Sequence, residues 1–422
     1  MLTHKLAWRS FLRHKRRSII TVLAVAISLA VMILMVAVMN DSHEQIAELA
    51  IKMGVGHITV QAPGYKEERT LDHVVNDPEP VLAAARRVPG AIDAVQRVIV
   101  SGLCSTGEDS AAVLIAGVDP KREPRVSDIA AKKRRLSGSW IRSRAEMRFK
   151  NQPADVYVGR ALAKRLALAV GDRLVLTATP RGGGRAVSSA FLVRGTFTTA
   201  VAELDSTLVQ IPIDAAKRML KMRGAATEVS VLLDKMERTA PATAALKKAL
   251  AGVKGIRVMP WQQARKDLAD ALDIDTASGY ITVGILFLIV AIGIFNTMLM
   301  SVLERTREFG VMMAIGTRPS RMFSIVLSEA FVLALVASAF GVAIGLGFTQ
   351  WVASSGIDIN KMVGTEAYEF AGVAFEGKIY ARLYVADVLI WVGVTVALVL
   401  LSAIYPAWRA TRLQPVEAMR HV

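Results

Sequence analysis

Four long apolar stretches constrain this chain more than any other feature of its sequence. They are Ser18–Asn40, Thr276–Leu303, Met322–Val352 and Val388–Trp408. The third contains one charged residue, Glu329, and the other three contain none. Crossing a bilayer takes about 20 consecutive apolar residues in a helix, and buried helices of soluble proteins rarely extend that far without a charged face. The pattern therefore predicts four membrane-spanning helices.

The rest of the chain is too polar to lie in lipid. Over 422 residues the mean hydropathy is +0.40 and 53% of residues are hydrophobic, yet 21% are charged. This mixture predicts membrane spans together with a domain in water. The first span follows six basic residues, as a signal peptide does, but its apolar run exceeds 20 residues and ends in Met39-Asn40-Asp41. An uncleaved anchor is the favoured interpretation.

Basic residues beside the spans predict the orientation of the chain. Residues 1–17 carry six Lys or Arg and no acidic residue, and residues 304–321 carry four basic and two acidic residues. By contrast, residues 353–385 carry three basic and four acidic residues. We therefore expect both termini and the 304–321 segment in the cytoplasm of a cell whose inner membrane holds the protein, and residues 41–275 on the outer side.

These inferences predict an α+β membrane protein with four transmembrane helices and a large mixed α/β extracytoplasmic domain between helices 1 and 2. The predicted segments are a cytoplasmic amphipathic N-terminal helix (1–17), span 1 (18–40), the extracytoplasmic domain (41–275), span 2 (276–303), a cytoplasmic helix (304–321), span 3 (322–352), an extracytoplasmic loop (353–385), span 4 (386–408) and a cytoplasmic tail (409–422).

The outer domain has alternating strand and helix patterns. Runs rich in β-branched residues predict strands at 57–61, 95–101, 112–117, 173–179, 190–197 and 227–233, with a short strand at 255–259. Helical patterns lie at 81–88, 159–167, 214–222 and 239–250. From residue 227 onward the order strand, helix, strand is typical of one βαβ unit. The single Cys104 excludes an intramolecular disulfide.

The sequence contains none of the searched motifs for nucleotide binding or covalent catalysis. It has no GxxxxGK[ST], HExxH or GxSxG, and its six His residues are scattered. We therefore expect no enzyme activity, no metal site and no directly bound cofactor. The basic run Lys132–Arg135 is compatible with lipid headgroups or an acidic partner, but a solvated surface is favoured. Nucleic acid is not expected, because the run faces away from the cytoplasm.

The segment between spans 2 and 3 predicts a short amphipathic helix. Charged residues at its start are expected to reach cytoplasmic water: Glu304, Arg305, Arg307 and Glu308. Phe309, Met312 and Met313 then recur at helical spacing and form an apolar face. Gly316 suits the C′ position that ends a helix, and Pro319 suits the first turn of the next. Physics alone leaves two interpretations open: the apolar face fills a groove of a soluble partner, or it lies on the headgroups.

Several stretches of this sequence, taken together, carry a family signature. They are Asn296 within span 2 and "RHKRRSIITVLAVAIS" (13–28), "AGVDP" (116–120), "VYVGRALAKRLALAVGDRLVL" (156–176), "SVLERTREFGVMMAIGTRPSRMFSIVLSEAF" (301–331) and "YPAWRATRLQPVEAMR" (405–420). They resemble the MacB/FtsX-like permeases of ABC transporters, the superfamily that includes the lipoprotein-releasing permeases LolC and LolE. The similarity follows the chain in order and covers nearly all of it.

The resemblance implies a role for the amphipathic helix and a set of partners. In this family two permease subunits, identical or different, pair in the membrane, and each docks an ATPase subunit on this coupling helix. Carried onto this chain, the docking residues are Glu304, Arg307, Glu308 and Met312, with Gly316 ending the helix. ATP and Mg²⁺ would bind the partner ATPase, because this chain has no nucleotide-binding motif. The resemblance also implies an outer domain with a porter-like part and an inserted β-rich part.

Polar and small residues inside the spans mark helix contacts. Glu329 must face protein or water; hydrogen bonding between helices is favoured for it over an ion or proton site. Gly341, Gly345 and Gly347 follow a small-residue spacing that lets helices approach closely.

The expected function is a permease subunit that couples ATP hydrolysis in its partner to extraction of a lipoprotein or lipophilic substrate from the membrane. A periplasmic carrier or adaptor could take part. Two alternatives remain open: an FtsX-like signalling permease that controls a cell-wall hydrolase, and a MacB-type efflux permease with a periplasmic adaptor.

Overall fold

A computed structural model describes residues 15–146, 152–199, 201–358, 361, 369–370, 373–374 and 378–412. Most of the predicted N-terminal helix (1–17), the end of the predicted tail (409–422) and part of the predicted loop (353–385) lie outside the described residues. The helices are α1 (Lys15–Ala50), α2 (Tyr65–Glu68), α3 (Pro78–Arg86), α4 (Glu123–Val126), α5 (Arg160–Arg165), α6 (Ala202–Thr207), α7 (Ile213–Met219), α8 (Thr239–Ala249), α9 (Trp261–Ala264), α10 (Lys266–Glu304), α11 (Thr306–Ala314), α12 (Pro319–Ser355) and α13 (Val385–Thr411).

The strands lie mostly between α1 and α10 in the chain. They are β1 (Ile58–Gln61), β2 (Ala91–Ser105), β3 (Ser110–Val118), β4 (Arg135–Gly138), β5 (Ala154–Gly159), β6 (Arg173–Ala178), β7 (Val187–Phe197), β8 (Leu208–Pro212), β9 (Glu228–Leu233), β10 (Arg257–Pro260), β11 (Glu369–Phe370) and β12 (Val373–Ala374). A π turn follows α1 at Ile51–Val55.

The prediction of four long apolar helices is confirmed, since α1, α10, α12 and α13 each contain one predicted span. Two of them extend further than predicted. α1 continues to Ala50 and α10 begins at Lys266, so both ends of the predicted 41–275 domain are helical. Residues 41–50 and 266–275 contain no Gly or Pro and several strong helix formers, and nothing local stops either helix.

The chain divides into two compact units. A helical unit contains residues 1–44, 273–359 and 377–422, and a sheet unit contains residues 45–272 and 360–376. In the helical unit, α1, α10, α12 and α13 share one apolar core that includes Val25, Ile294, Ala334 and Ala403. The divisions at residues 44/45 and 272/273 fall inside α1 and α10.

The sheet unit is built on one mixed sheet of ten strands. Its order is β10-β1-β9-β2-β3-β8-β5-β7-β4, and β6 pairs with both β2 and β7. The β3–β8 and β5–β7 pairs are parallel and the remaining pairs of this sheet are antiparallel. β2 is long enough to pair with β9 through residues 91–97 and with β3 through residues 98–105. The prediction of a mixed α/β domain is confirmed.

Two of the hydrophobic cores of the sheet unit lie along this sheet, and a third contains Met53, Tyr157 and Phe197. One packs α3 and α8 against β1, β9 and β10, with Val81, Leu246 and Val231 fully buried. The other lies among β2, β3 and β5–β8 and contains Cys104, whose thiol is buried and free. The strand–helix–strand order from residue 227 is present as β9–α8–β10, but β1 lies between the two strands and is antiparallel to both. The unit is therefore a split βαβ arrangement.

Three strands of the β-rich part were not predicted. β4, β5 and β8 contain four to six residues each, and runs this short do not distinguish a strand from a buried turn by periodicity alone. The basic run Lys132–Arg135 is only partly the solvated surface that was predicted. Lys133 is exposed and pairs with Asp128 at 2.7 Å, whereas Arg134 is 5% exposed.

Candidate functional site

The candidate site is the segment between α10 and α12, which we call the coupling segment (residues 304–321). α10 ends at Glu304, and Arg305 has a backbone conformation (φ −105°, ψ 16°) that separates it from α11. After α11, the amide of Gly316 donates to the Met313 carbonyl and the amide of Thr317 to the Met312 carbonyl, both at 3.0 Å. This pair of bonds is a Schellman motif.

Gly316 and Pro319 have the local roles predicted for them. Gly316 has φ +92°, in the left-handed region that glycine adopts without steric cost. Pro319 is the first residue of α12, where a missing amide proton costs no helical hydrogen bond. The sequence therefore encodes the length of α11 locally, through one residue that ends it and one that begins the next helix.

The apolar face of α11, for which the sequence left a partner's groove and the headgroups as open interpretations, packs against helices of the same chain. Phe309 is 1% exposed and lies in a cluster with residues of α10, α12 and α13. Met312 and Met313 pack against the same cluster and are partly buried. The other buried members are Val302, Met322, Ile325, Val326, Ala407 and Ala410. The hydrophobic face was predicted correctly, but the helices of the same chain already cover it.

Arg305 is also placed differently from the prediction. Its side chain is 15% exposed and turns back into the protein instead of reaching water. Its Nη1 donates to a carboxylate oxygen of Glu329 on α12 at 3.0 Å, and its Nε donates to Glu308 at 3.0 Å. Its guanidinium also lies 5.2 Å from the centre of the Phe309 ring. Glu329 thus has the polar contact between helices that was favoured for it, with a partner that the sequence did not indicate.

The exposed face of α11 is mixed in character. Glu304, Arg307 and Glu308 are exposed as predicted, and they continue into Val311 and Ile315, which are 46% and 78% exposed. Spacings of three and four residues place Arg307, Glu308, Val311 and Ile315 on one side of α11, whereas Glu304 is the last residue of α10. An open depression borders Ile315 and is lined by Arg318, Arg321 and nearby polar residues. Of the predicted docking residues within α11, Met312 is the one that lies off this face.

Two other groups of predicted residues lie in the long helices. Gly341 and Gly345 face α1: a Cβ at Gly341 would lie 2.9 Å from the Ala26 carbonyl oxygen, and one at Gly345 would lie 3.2 Å from the Ala30 Cα. Gly347 has no heavy atom within 4 Å of its Cβ direction among the described residues. Asn296 is on an exposed part of α10.

Sequence reasoning missed the exposed pair Val311 and Ile315, because it assigned the apolar face to Phe309, Met312 and Met313 only. It also missed a buried charge cluster in the sheet unit formed by Arg97, Glu123 and Glu228. A signal for that cluster was available, since Arg97 and Glu228 interrupt apolar runs that were themselves predicted as strands. Among the described residues, no group of three or more His, Cys, Asp or Glu is arranged to hold a metal ion.

Comparison with known proteins matches both parts of the chain to family models. Residues 18–249 match the MacB-like periplasmic core domain, and residues 280–415 match the FtsX-like permease C-terminal domain. The chain is 24% identical to the lipoprotein-releasing system transmembrane protein LolC of Xylella fastidiosa over 436 residues, covering 97% of both chains. It is 32% identical over 142 residues to the macrolide export ATP-binding/permease protein MacB of Syntrophobacter fumaroxidans, covering 33% of this chain and 17% of that protein.

Among solved structures, the periplasmic region of MacB from Actinobacillus actinomycetemcomitans aligns with 53% of this chain and 98% of its own length. The sequence identity is 13% and the TM-score is 0.36.

Proposed function

From the premise that this chain belongs to the family of MacB-like and FtsX-like ABC transporter permeases, we propose that it transmits force from an ATPase to a lipophilic cargo. It is an ABC transporter permease and an inner-membrane protein, and permeases of this family work with an ATPase partner and dimerise. In our proposal the ATPase is a separate polypeptide that binds ATP and Mg²⁺ and docks on the coupling segment. Movement of the helices then helps to release a lipoprotein or lipid from the outer leaflet.

The single observation that carries this proposal is the attachment of α11 to its neighbours. Phe309 is buried among residues of α10, α12 and α13, and Arg305 is bonded to Glu329 of α12. A helix held in this way cannot tilt without displacing the helices that surround it, because closely packed interiors transmit strain. A push on α11 is therefore expected to move the long helices as a group.

The lipoprotein cargo is supported by similarity along the whole chain. The match to LolC covers 97% of both proteins, whereas the MacB match covers 33% of this chain. A test of cargo is purification of the chain with its ATPase from native membranes, followed by mass spectrometry of bound molecules. A lipoprotein or phospholipid that ATP releases supports the proposal. Two results would contradict it. One is a small hydrophobic compound recovered together with a periplasmic adaptor, and the other is a bound cell-wall hydrolase without any cargo.

Docking is tested on the exposed face of α11. Val311→Asp and Ile315→Asp place a carboxylate where we expect apolar contact with the ATPase. Each is expected to raise the Kd for the ATPase by about tenfold or more, because burying an unpaired charge in the interface costs over about 1.4 kcal/mol of binding free energy. The measurement is the Kd for the purified ATPase by interferometry on permease in nanodiscs.

The matched control is Val170→Asp in the sheet unit, where the valine is 47% exposed, compared with 46% for Val311. It makes the same chemical change on an equally exposed residue far along the chain and should leave the Kd unaltered. Unchanged binding by both coupling-segment variants would remove α11 as the docking surface.

A further inference from the structure

Within the sheet unit, α1 ends in a wide helical turn. The π turn Ile51–Val55 follows α1 directly, and the amide of Gly56 closes it by donating to the Ile51 carbonyl at 3.0 Å. Gly54 and Gly56 have φ of +122° and +73°, where other residues are strained. At Gly56 space also requires glycine, since a Cβ would lie 2.2 Å from the Ser230 Oγ. We call residues 51–56 the junction turn.

Side chains of the sheet unit cap the carbonyl groups of the junction turn. The last carbonyls of a helix have no backbone partner within the helix and carry partial negative charge. The Arg97 Nη1 donates to the Gly54 carbonyl. The Ser230 and Thr59 hydroxyls each donate to the Val55 carbonyl at 3.0 Å. A buried guanidinium at this helix end is therefore favourable both as a hydrogen-bond donor and as a positive charge.

Arg97 connects the junction turn to two other segments. It lies on β2 and is 3% exposed. Its Nη2 and Nε donate to Glu123 of α4 at 2.7 and 3.1 Å, and its Nη1 lies 3.5 Å from the carboxylate of Glu228 on β9. Glu228 also accepts from Gln61 of β1 at 2.9 Å, and burial raises the pKa of Glu228. The Arg97 side chain thus joins the junction turn to α4 and to two strands, β2 and β9.

Packing does not secure the junction turn on every side. A cavity of about 220 Å³ borders it, lined by Met53, Gly54 and Val55 together with Arg97, Glu123 and Glu228. Interiors filled at ordinary density resist deformation, but a turn beside a cavity lacks neighbours on that face. The polar contacts of Arg97 therefore supply restraint that side-chain packing does not.

We propose that Arg97 is a positioning residue for force transmission, which holds the junction turn so that a displacement of α1 moves the sheet unit instead of bending the turn. Two glycines and a π turn would otherwise allow the chain to bend here. The inference rests on the proposed function, because it requires that an ATPase displaces α1.

The test uses the full-length chain assembled with its ATPase in nanodiscs. Arg97→Met removes the guanidinium but leaves Glu123 buried without its partner, a change that can destabilise the fold. The double variant Arg97→Met/Glu123→Gln removes both charges. Arg97→Lys keeps the charge but cannot span the same partners. ATP hydrolysis is measured together with hydrogen–deuterium exchange over the sheet unit, with and without trapped nucleotide.

In both methionine variants, we expect unchanged ATP hydrolysis and unchanged exchange in β5–β7, which shows that the unit is folded. Exchange at the Gly56 and His57 amides should rise by about tenfold or more, because a charged hydrogen bond to the turn is lost. The nucleotide-dependent change in exchange across the sheet unit should disappear, and Arg97→Lys should restore part of it.

The matched control is Arg142→Met, which removes another guanidinium bonded to a buried carboxylate, that of Asp155, with Nε–Oδ2 and Nη2–Oδ1 distances of 2.9 and 3.0 Å. Arg142 does not contact the junction turn, so this variant should keep the nucleotide-dependent change. The inference is overturned if the double variant also keeps that change, or if Arg142→Met loses it equally. If the wild-type permease does not bind the ATPase, or if nucleotide does not change its hydrogen–deuterium exchange, the proposed function is contradicted instead.

Discussion

Single guanidinium groups hold distant segments together in both units of this protein. Arg97 bonds to Glu123, Arg142 to Asp155 and Arg305 to Glu329. Each of these acidic partners is at most 17% exposed. Removing water from such a pair costs free energy, whereas removing one partner leaves an uncompensated buried charge, so each pair is more costly to break than it is stabilising to form. At the residue scale, these contacts define where α11 and the junction turn are held.

His57 gives the sheet unit a predicted sensitivity to acid. It is 7% exposed, and its Nδ1 accepts from the Leu233 amide at 3.0 Å. Burial lowers its pKa from 6.5 to about 4. In the unfolded chain the His57 imidazole therefore takes up a proton near pH 6.5, whereas in the folded protein it remains neutral until about pH 4. Between these values the free energy of unfolding should fall as pH falls, by up to about 3 kcal/mol.

The measurement is the opening free energy of β9 amides from hydrogen exchange at several pH values, corrected for intrinsic rates. His57→Asn serves as the comparison, because the asparagine oxygen can accept from the Leu233 amide without titrating. Between pH 6.5 and pH 4, the opening free energy of the variant should fall less with decreasing pH than that of the wild type. An equal fall in the two proteins would exclude His57 as the source of the pH dependence.

At the scale of elements, the ends of helices depend on whether a local stop is present. α11 ends at a glycine that closes a Schellman motif, and this end was predicted. α1 and α10 have no such stop at the predicted membrane boundary, and both continue for ten residues. α1 ends where Gly54 and Gly56 allow the chain to leave the helix. Both helices therefore extend beyond the span boundaries that hydropathy predicts.

The close contact between α1 and α12 depends on Gly341 and Gly345, but not on Gly347. Gly341→Ala brings a methyl group within 2.9 Å of the Ala26 carbonyl oxygen, so the helices must separate. We expect a loss of stability of about 1–3 kcal/mol, as for other overpacked interiors. The measurement is unfolding of the full-length protein in mixed micelles of increasing SDS content, followed by circular dichroism.

Gly347→Ala is the matched control for this substitution, since position 347 lies six residues along the same helix and a Cβ there would meet no atom of the described residues within 4 Å. Alanine is the better helix former, so this variant should be as stable as the wild type or slightly more so. If both variants lost the same stability, helix propensity or lipid contact would explain the effect and close packing against α1 would not.

At the scale of the whole molecule, the two units serve different solvents. The helical unit exposes large apolar side chains along its long helices, including Ile289, Phe348 and Leu389, as a surface in lipid does. The sheet unit has hydrophobic cores of its own, separate from the core of the long helices. The chain crosses from one unit to the other within α1 and α10.

The orientation of the chain remains a prediction that labelling can test. Residue 185 lies at an exposed turn of the sheet unit. In the Arg185→Cys variant, the new cysteine should react with a membrane-impermeant maleimide in cells in which only the outer membrane has been made permeable. Arg318→Cys, in the coupling segment, should react only after the inner membrane is opened. The native Cys104 gives little background, because it is buried and burial raises its pKa to about 11. Labelling of residue 185 only from the cytoplasm would overturn the orientation and the proposed mechanism with it.

The sequence by itself determined the four helices, the mixed α/β character of the domain between the first two, the end of α11 at Gly316 and the family. These properties follow from hydrophobic runs, helix-ending residues and motifs that lie close together in the chain. Only the tertiary structure decided that Phe309 faces inward, that Arg305 meets Glu329, and that Arg97 joins α1 to β9. Those contacts link residues far apart in sequence, and they depend on how helices cross and strands are ordered, which no local pattern contains.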